Sequence, residues 1–141
     1  MAFKDILSPL KYSWWQMLDG ALSVPVYKDS VPISEDGNYV LIRGEGSTNI
    51  QPTNTGFFRS AVIIVEIVTK FPVIGNSSVA SALSQQINNT IIFSPNSYNI
   101  SVSGFQITYL SLQSEDELYE DNNSEKIFRI IKRYEHFINQ N

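Results

Sequence analysis

The sequence contains no cysteine and a single histidine, His136. The absence of cysteine excludes disulfide bonds, thiol catalysis and every metal site that depends on thiolate ligands. Any Ser–His pair or histidine–metal site has to use His136, which lies among charged residues near the end of the sequence. The phosphate-loop, dinucleotide, HExxH and Gly-x-Ser-x-Gly patterns are also absent. We therefore expect a protein that is not an enzyme and that uses no cofactor or metal.

Long apolar runs and a strong positive charge are missing as well. The continuous apolar run at residues 62–65 is extended by Ile67 and Val68 across Glu66, and it falls far short of the ~18 residues of a membrane helix. Ten basic and fourteen acidic residues give a net charge of −4, which disfavours a nucleic-acid binder. Basic residues concentrate only at 126–133. The N-terminal residues lack the unbroken apolar segment of a secretory signal, so we expect folding in the cytosol and no membrane segment.

What is present suffices for one domain spanning residues 1–141, of which 43% are hydrophobic and 12% aromatic. The chain is organised around residues 57–71, whose β-branched run is typical of a central strand that is buried on both faces. Glu66 shares a face with Ile64 and Val68, because side chains alternate along a strand. That face therefore either meets solvent at one end or contacts a partner.

The rest of the chain predicts two helices and several strands. A first helix opens at Ser8–Pro9 and ends at Gly20, and a second covers residues 77–89. Strands are predicted at 39–43 and 98–112, with a bulge near Gly104. Residues 44–56 and the acidic residues 114–124 predict long loops. Residues 125–138 fit both the spacing of a helix and the alternation of a strand, although Lys132 and His136 would interrupt the apolar face of the strand. Periodicity alone slightly favours a helix.

Two large aromatic residues of the first helix fall outside its apolar stripe. Tyr12 and Trp15 lie on the side that the stripe leaves partly exposed. The simpler interpretation is that a later loop covers them. The alternative is a subunit contact, because large aromatic side chains are favoured at the centres of interfaces.

The order of elements resembles that of the tail terminator (tail completion) proteins of tailed bacteriophages. The likeness is carried by Val26-Tyr27 through Val31-Pro32, followed by residues 38–42, which match the family's run from the first helix into the first main strand. The long strand at 60–70 and the helix at 77–89 occupy the expected following places. This sequence departs from the pattern at Asn38, where proline is common, and in its long acidic segment.

The resemblance implies an α+β fold, a mostly antiparallel sheet of about four strands with two helices packed on one face. The family ends in a strand, which favours a strand at 126–138. It implies a virion protein, assembled in the bacterial cytoplasm, that forms a homo-oligomeric ring (hexamer or dodecamer). The ring closes the tail at its head-proximal end and contacts tail tube, neck or portal proteins, and DNA passes through its lumen without specific binding.

A ring needs one patch that meets a different patch on the neighbouring copy. We take as interface candidates the exposed aromatics, the charge on the central strand and the 44–56 segment: Tyr12, Trp15, Glu66, Thr48, Asn49 and Ile50. Two alternatives stay open. One is a soluble, monomeric adaptor that binds a basic partner through its acidic segment. The other is a small hydrolase with a carboxylate pair, since such pairs have no fixed spacing.

Overall fold

The computed structural model describes residues 4–53, 56–71, 77–92, 99–121 and 125–140. Its two helices are α1 (Leu7–Leu18) and α2 (Ser78–Ile91). Its strands are β1 (Val26–Lys28), β2 (Tyr39–Thr53), β3 (Gly56–Phe71), β4 (Phe105–Asp121) and β5 (Lys126–Gln140). The strands form one sheet in the order β1-β2-β3-β5-β4. All pairs are antiparallel except β1–β2, which is parallel.

The fold is the predicted α+β arrangement, but in the described residues the sheet has five strands and not about four. The additional strand is β1, whose three residues pair with Val40, Leu41 and Ile42. Three residues are too few to produce a visible alternation in the sequence. For this reason, none of the strands predicted from the sequence lies between Pro25 and Pro32.

The predicted loop at 44–56 is wrong for the residues that the structure describes there. β2 continues to Thr53 and β3 begins at Gly56, so both arms of the hairpin remain paired almost to its tip. The pairing is interrupted by register shifts between Gly44 and Gly46 and between Asn49 and Gln51. An extra residue at each bulge breaks the alternation of side chains, which makes the strand look like a loop in sequence.

The acidic segment is likewise a strand. β4 runs from Phe105 to Asp121 and pairs with β5 over its whole length. Only residues 122–124 of the predicted loop lie outside the described residues. β5 confirms the strand that the resemblance implied and contradicts the helix that periodicity favoured. Gly104 adopts a positive φ of 84° just before β4, whereas the shifts in register lie between Ile107 and Tyr109 and between Leu112 and Ser114.

The core lies between the two helices and one face of the sheet, which we call the helix side. α1 begins at Leu7, one residue before the predicted Ser8, and Gly20 after it has the left-handed φ of 85° expected at a helix end. Both helices contribute buried apolar residues, and the sheet supplies the alternate residues of β2, β3 and β5. No helix among the described residues is long and apolar enough to cross a membrane.

Candidate interaction surfaces

The face of the sheet opposite the helices, here called the open face, has an apolar centre. Ile64 and Val68 of β3 are buried there, although they are outside the core cluster formed with the helices. Long side chains on the neighbouring strands account for this burial, since Ile64 lies opposite Arg43 and Arg133. The alkyl stems of long basic side chains cover apolar surface while their charged ends reach water. The open face therefore presents charge at its surface and apolar groups beneath it.

A charged network crosses four strands of the open face. Glu66 of β3 accepts hydrogen bonds from Arg43 of β2 at 3.3 Å and from Arg129 of β5 at 2.8 Å. Arg129 also donates to Glu120 of β4 at 2.8 Å. The carboxylate of Glu66 is only 12% exposed, so it is satisfied inside this chain. Glu66 was predicted as an interface residue, and this network gives it partners within its own chain.

One end of the open face carries a row of aromatic rings, the aromatic ladder. Phe58, Phe137 and Tyr109 come from β3, β5 and β4. The ring centroids of Phe58 and Phe137 are 6.1 Å apart, those of Tyr109 and Phe137 are 5.7 Å apart, and both pairs are stacked. Tyr109 is 46% exposed. Stacked aromatic groups at a surface are well suited to contact another protein.

The acids of β4 are largely neutralised by the basic residues of β5. Asp121 pairs with Lys126, Glu120 with Arg129, and Asp116 lies 3.8 Å from Arg133. The basic stretch and the acidic segment of the sequence are thus two adjacent strands. Glu117 is exposed and has no ion pair within the described residues.

The opposite edge of the sheet is formed by β1 together with α1. Tyr12 is 48% exposed, and the ammonium of Lys28 lies 5.2 Å from the centre of its ring. Trp15 is half-buried, and its Nε1–H donates to the carbonyl of Val26 at 2.9 Å. Trp15 therefore anchors β1, and Tyr12 is the member of the pair that faces outward. No later loop is needed to explain the burial of Trp15.

The remaining predicted residues lie along β2. Thr48 and Asn49 are exposed, with Thr48 opposite Ser60 and Asn49 opposite Arg59. They point to opposite faces of the sheet, because successive residues of a strand alternate. Ile50 is at the second bulge, and its side chain lies outside the described residues. The structure therefore separates the predicted candidates: Tyr12 and Trp15 lie at one edge, Glu66 lies on the open face, and Thr48 and Asn49 lie in the hairpin.

Polar side chains buried on the helix side were not predicted as a group. Lys132 donates to Ser84 Oγ at 2.8 Å and to Asn88 Oδ1 at 2.7 Å, which ties β5 to α2. Tyr134 donates to the same Asn88 oxygen at 2.9 Å. Burial lowers the pKa of Lys132 to about 8 and raises the pKa of Tyr134, because each charged form loses hydration. Among the described residues, no cluster of acidic or histidine side chains could hold a metal ion.

His136 lies among charged residues in the sequence, yet its side chain is fully buried in the fold. The indole N–H of Trp14 donates to His136 Nε2 at 2.9 Å, and Nδ1 lies 3.0 Å from the carbonyl of Ala61. These two partners fix a neutral imidazole that carries its proton on Nδ1. Burial lowers the pKa of His136 to about 4. The signal in the sequence was the position of Lys132 and His136 on the apolar side of β5.

No family model matches this sequence, and no curated protein matches it in sequence. The fold is similar to that of a chain in a solved structure described as the virion of a native gene transfer agent particle. The two chains are 12% identical with a TM-score of 0.63, and the match covers 92% of this chain and 96% of the other. A second solved chain, also 12% identical, covers 89% and 87% at a TM-score of 0.49, which is too low to support an argument. At this identity the first similarity establishes a shared fold.

Proposed function

We propose that this chain is a non-enzymatic structural protein of a phage-like virion, a ring subunit at the head-proximal end of the tail or in the neck. The observation that carries the proposal is the similarity of nearly the whole fold to a chain of the gene transfer agent virion. The resemblance of residues 26–42 to tail terminator proteins supports the same location from the sequence. The subunit acts by oligomerisation and docking, as a hexamer or dodecamer, and closes the tail against the head connector.

The surfaces support this role because they differ from one another. A ring that closes by rotation brings one patch of a subunit against a different patch of its neighbour. The two edges of the sheet differ in this way, with acids and Tyr119 on β4 and with Lys28 and Tyr12 at β1. The open face and its aromatic ladder then remain for the tail tube, neck or portal proteins.

The monomeric acidic adaptor has less support. That hypothesis required an acidic loop offered to a basic partner, whereas residues 114–121 form a strand whose acids mostly pair with β5. A basic partner would have to displace arginine and lysine side chains that already hold these carboxylates. Among the described acids of this edge, Glu115 and Glu117 are left without an ion pair.

The test is the composition of purified particles together with the state of the isolated protein. We expect mass spectrometry of particles to find the chain at a fixed copy number of six or twelve, and immunogold labelling to place it between head and tail. Native mass spectrometry and negative-stain images of the purified protein should show a closed ring. Absence of the chain from purified particles would overturn the proposal.

A further inference from the structure

Each edge of the sheet carries charged side chains that have no ion pair within the described part of the chain. On β4, Asp116, Glu120 and Asp121 have basic partners on β5, which leaves Glu115 and Glu117. Glu115 accepts a hydrogen bond from Ser84 Oγ of α2 at 3.1 Å, so we take Glu117 as the acid that is available to a partner. On β1 the charged residue is Lys28, which lies over the ring of Tyr12. Glu117 and Lys28 are both exposed.

These two charges lie at nearly the same height on the sheet. The strand registers connect Lys28 through Ile42, Val65 and Lys132 to Glu115 in a single row. The next row on the same side runs from Val26 to Glu117. Adjacent rows on one side are two residues apart, roughly 7 Å along a strand. Long side chains reach across such a diagonal.

The two charges also lie on the same side of the sheet. Residues that are paired across strands share a face, and this row includes Val65 and Lys132 of the buried helix side. Tyr119 of β4 is on the helix side as well. It is paired with Phe128, which is paired with Thr69, and Thr69 lies on the same face of β3 as Val65. It is 54% exposed, and Tyr12, on the helix that packs beside β1, is 48% exposed.

The backbone of β1 presents donors at its outer edge. The N–H of Val40 bonds to the carbonyl of Pro25, and the N–H of Asp29 bonds to that of Ile42, so odd-numbered residues of this segment face β2. The backbone N–H and C=O groups of Val26 and Lys28 therefore point away from β2, toward the outer edge of the sheet. Their carbonyls are already taken, by Trp15 Nε1 and by the N–H of Ser30. An edge left with amide donors and an ammonium group suits an acidic strand.

We propose that β4 of one copy of this chain docks against the β1–α1 edge of a second copy, with Glu117 beside Lys28 and Tyr119 beside Tyr12. The contact is head to tail, and because both patches lie at one height, repeated rotation about an axis along the strands closes it into a ring. The proposal rests on the ring function given above and names its subunit interface. Side chains and the two amides of β1 make the contact, and no long backbone ladder forms.

Charge reversal tests this contact directly. Lys28→Glu places a carboxylate at both contact positions, 28 and 117, and Glu117→Lys places an ammonium group at both. We expect each variant alone to need at least tenfold more protein to assemble than the natural chain does. A 1:1 mixture should restore rings in which the two variants alternate. Gln86→Lys, on the exposed side of α2, is the control and should assemble normally.

Disulfide trapping gives a second readout, since the chain contains no cysteine of its own. Copies with Lys28→Cys and Glu117→Cys together should form a ladder of linked oligomers on oxidation, both as purified protein and in particles. Either single variant should not. Discrete rings that tolerate charge reversal and give no ladder would overturn this interface and leave the ring function standing. A natural chain that gives no oligomer in solution, no ladder and no place in particles would overturn both.

Discussion

At the scale of single residues, the buried imidazole of His136 joins three elements. It accepts from Trp14 of α1, contacts the Ala61 carbonyl of β3 and belongs to β5. Its neighbour Tyr134 packs against Trp14 with ring centroids 4.7 Å apart. The only histidine of the chain is therefore part of the packing between helix and sheet. A protonated imidazole would lose the bond from Trp14, because Nε2 would then carry a hydrogen.

We predict that acid weakens the fold through His136. An unfolded histidine has a pKa of about 6.5, whereas the pKa of His136 in the fold is lowered to about 4. Between these values the unfolded chain binds the proton and the folded chain does not, so stability falls as the pH falls from 6.5 to 4. The loss amounts to about 3 kcal/mol at the lower end.

Urea unfolding of the natural chain and of His136→Gln between pH 7 and pH 4 measures this effect. Glutamine retains one acceptor and one donor but does not titrate. The free energy of unfolding should fall more steeply with acid in the natural chain, and the difference between the two slopes isolates the histidine. Parallel curves for the two proteins would contradict the prediction.

At the scale of elements, the Glu66 network holds four strands together on the open face. We predict that Glu66→Gln lowers the free energy of unfolding by about 1 kcal/mol, because Arg43 and Arg129 are then left side by side without their shared carboxylate. Glu120→Gln is the matched control. Its carboxylate is 52% exposed, and its loss should change stability by less than about 0.5 kcal/mol.

A double-mutant cycle between Glu66 and Arg129 separates this network from an interface role. We expect coupling in the unfolding of the isolated subunit, before any assembly. If Glu66→Gln leaves unfolding unchanged but impairs oligomerisation, Glu66 serves the interface that the sequence suggested instead.

The elements that could be predicted were those with an uninterrupted period. The apolar positions of α1 and of α2 repeat at helical spacing without a break, and the apolar run of β3 is interrupted only by Glu66. Each of these three elements lies where it was expected. β2 and β4 ended too early in the prediction, because bulges shift the phase and because exposed strand residues are polar. The predicted strand 98–112 also began too early, since Ile100 and Val102 alternate with polar residues although β4 begins at Phe105. The pairing of β4 acids with β5 bases requires residues that are near in space, and two separate charge runs in a sequence do not reveal it.

At the scale of the whole molecule, the resemblance supplied what periodicity lacked. It chose a strand for residues 126–138 and placed both helices on one face, and the structure has both features. The distribution of the interface candidates over two faces and one edge could not be read from the sequence. That distribution depends on the strand order, in which β5 lies between β3 and β4.

The same distribution of charge leads to a prediction about DNA. Only the stretch Lys126, Arg129, Lys132 and Arg133 is rich in basic residues, and in the fold three of them pair with acids while Lys132 is buried. Binding to duplex DNA comes mainly from basic groups that replace counterions at phosphates. A subunit with a net charge of −4 and its basic strand already paired has few such groups to offer.

We therefore expect no binding of a 30-base-pair duplex (roughly three helical turns) at physiological salt, as measured by fluorescence anisotropy. The combined variant Asp116→Asn and Glu120→Gln removes two negative charges and leaves Arg133 and Arg129 with one carboxylate each, Glu45 and Glu66, instead of two. It should bind the duplex weakly, with an affinity that falls steeply as salt rises. Micromolar binding by the natural chain would contradict the prediction and point to a surface that holds DNA. The expected result follows from the pairing of the β5 arginines and lysine with acids of this chain, which leaves few basic groups for phosphates.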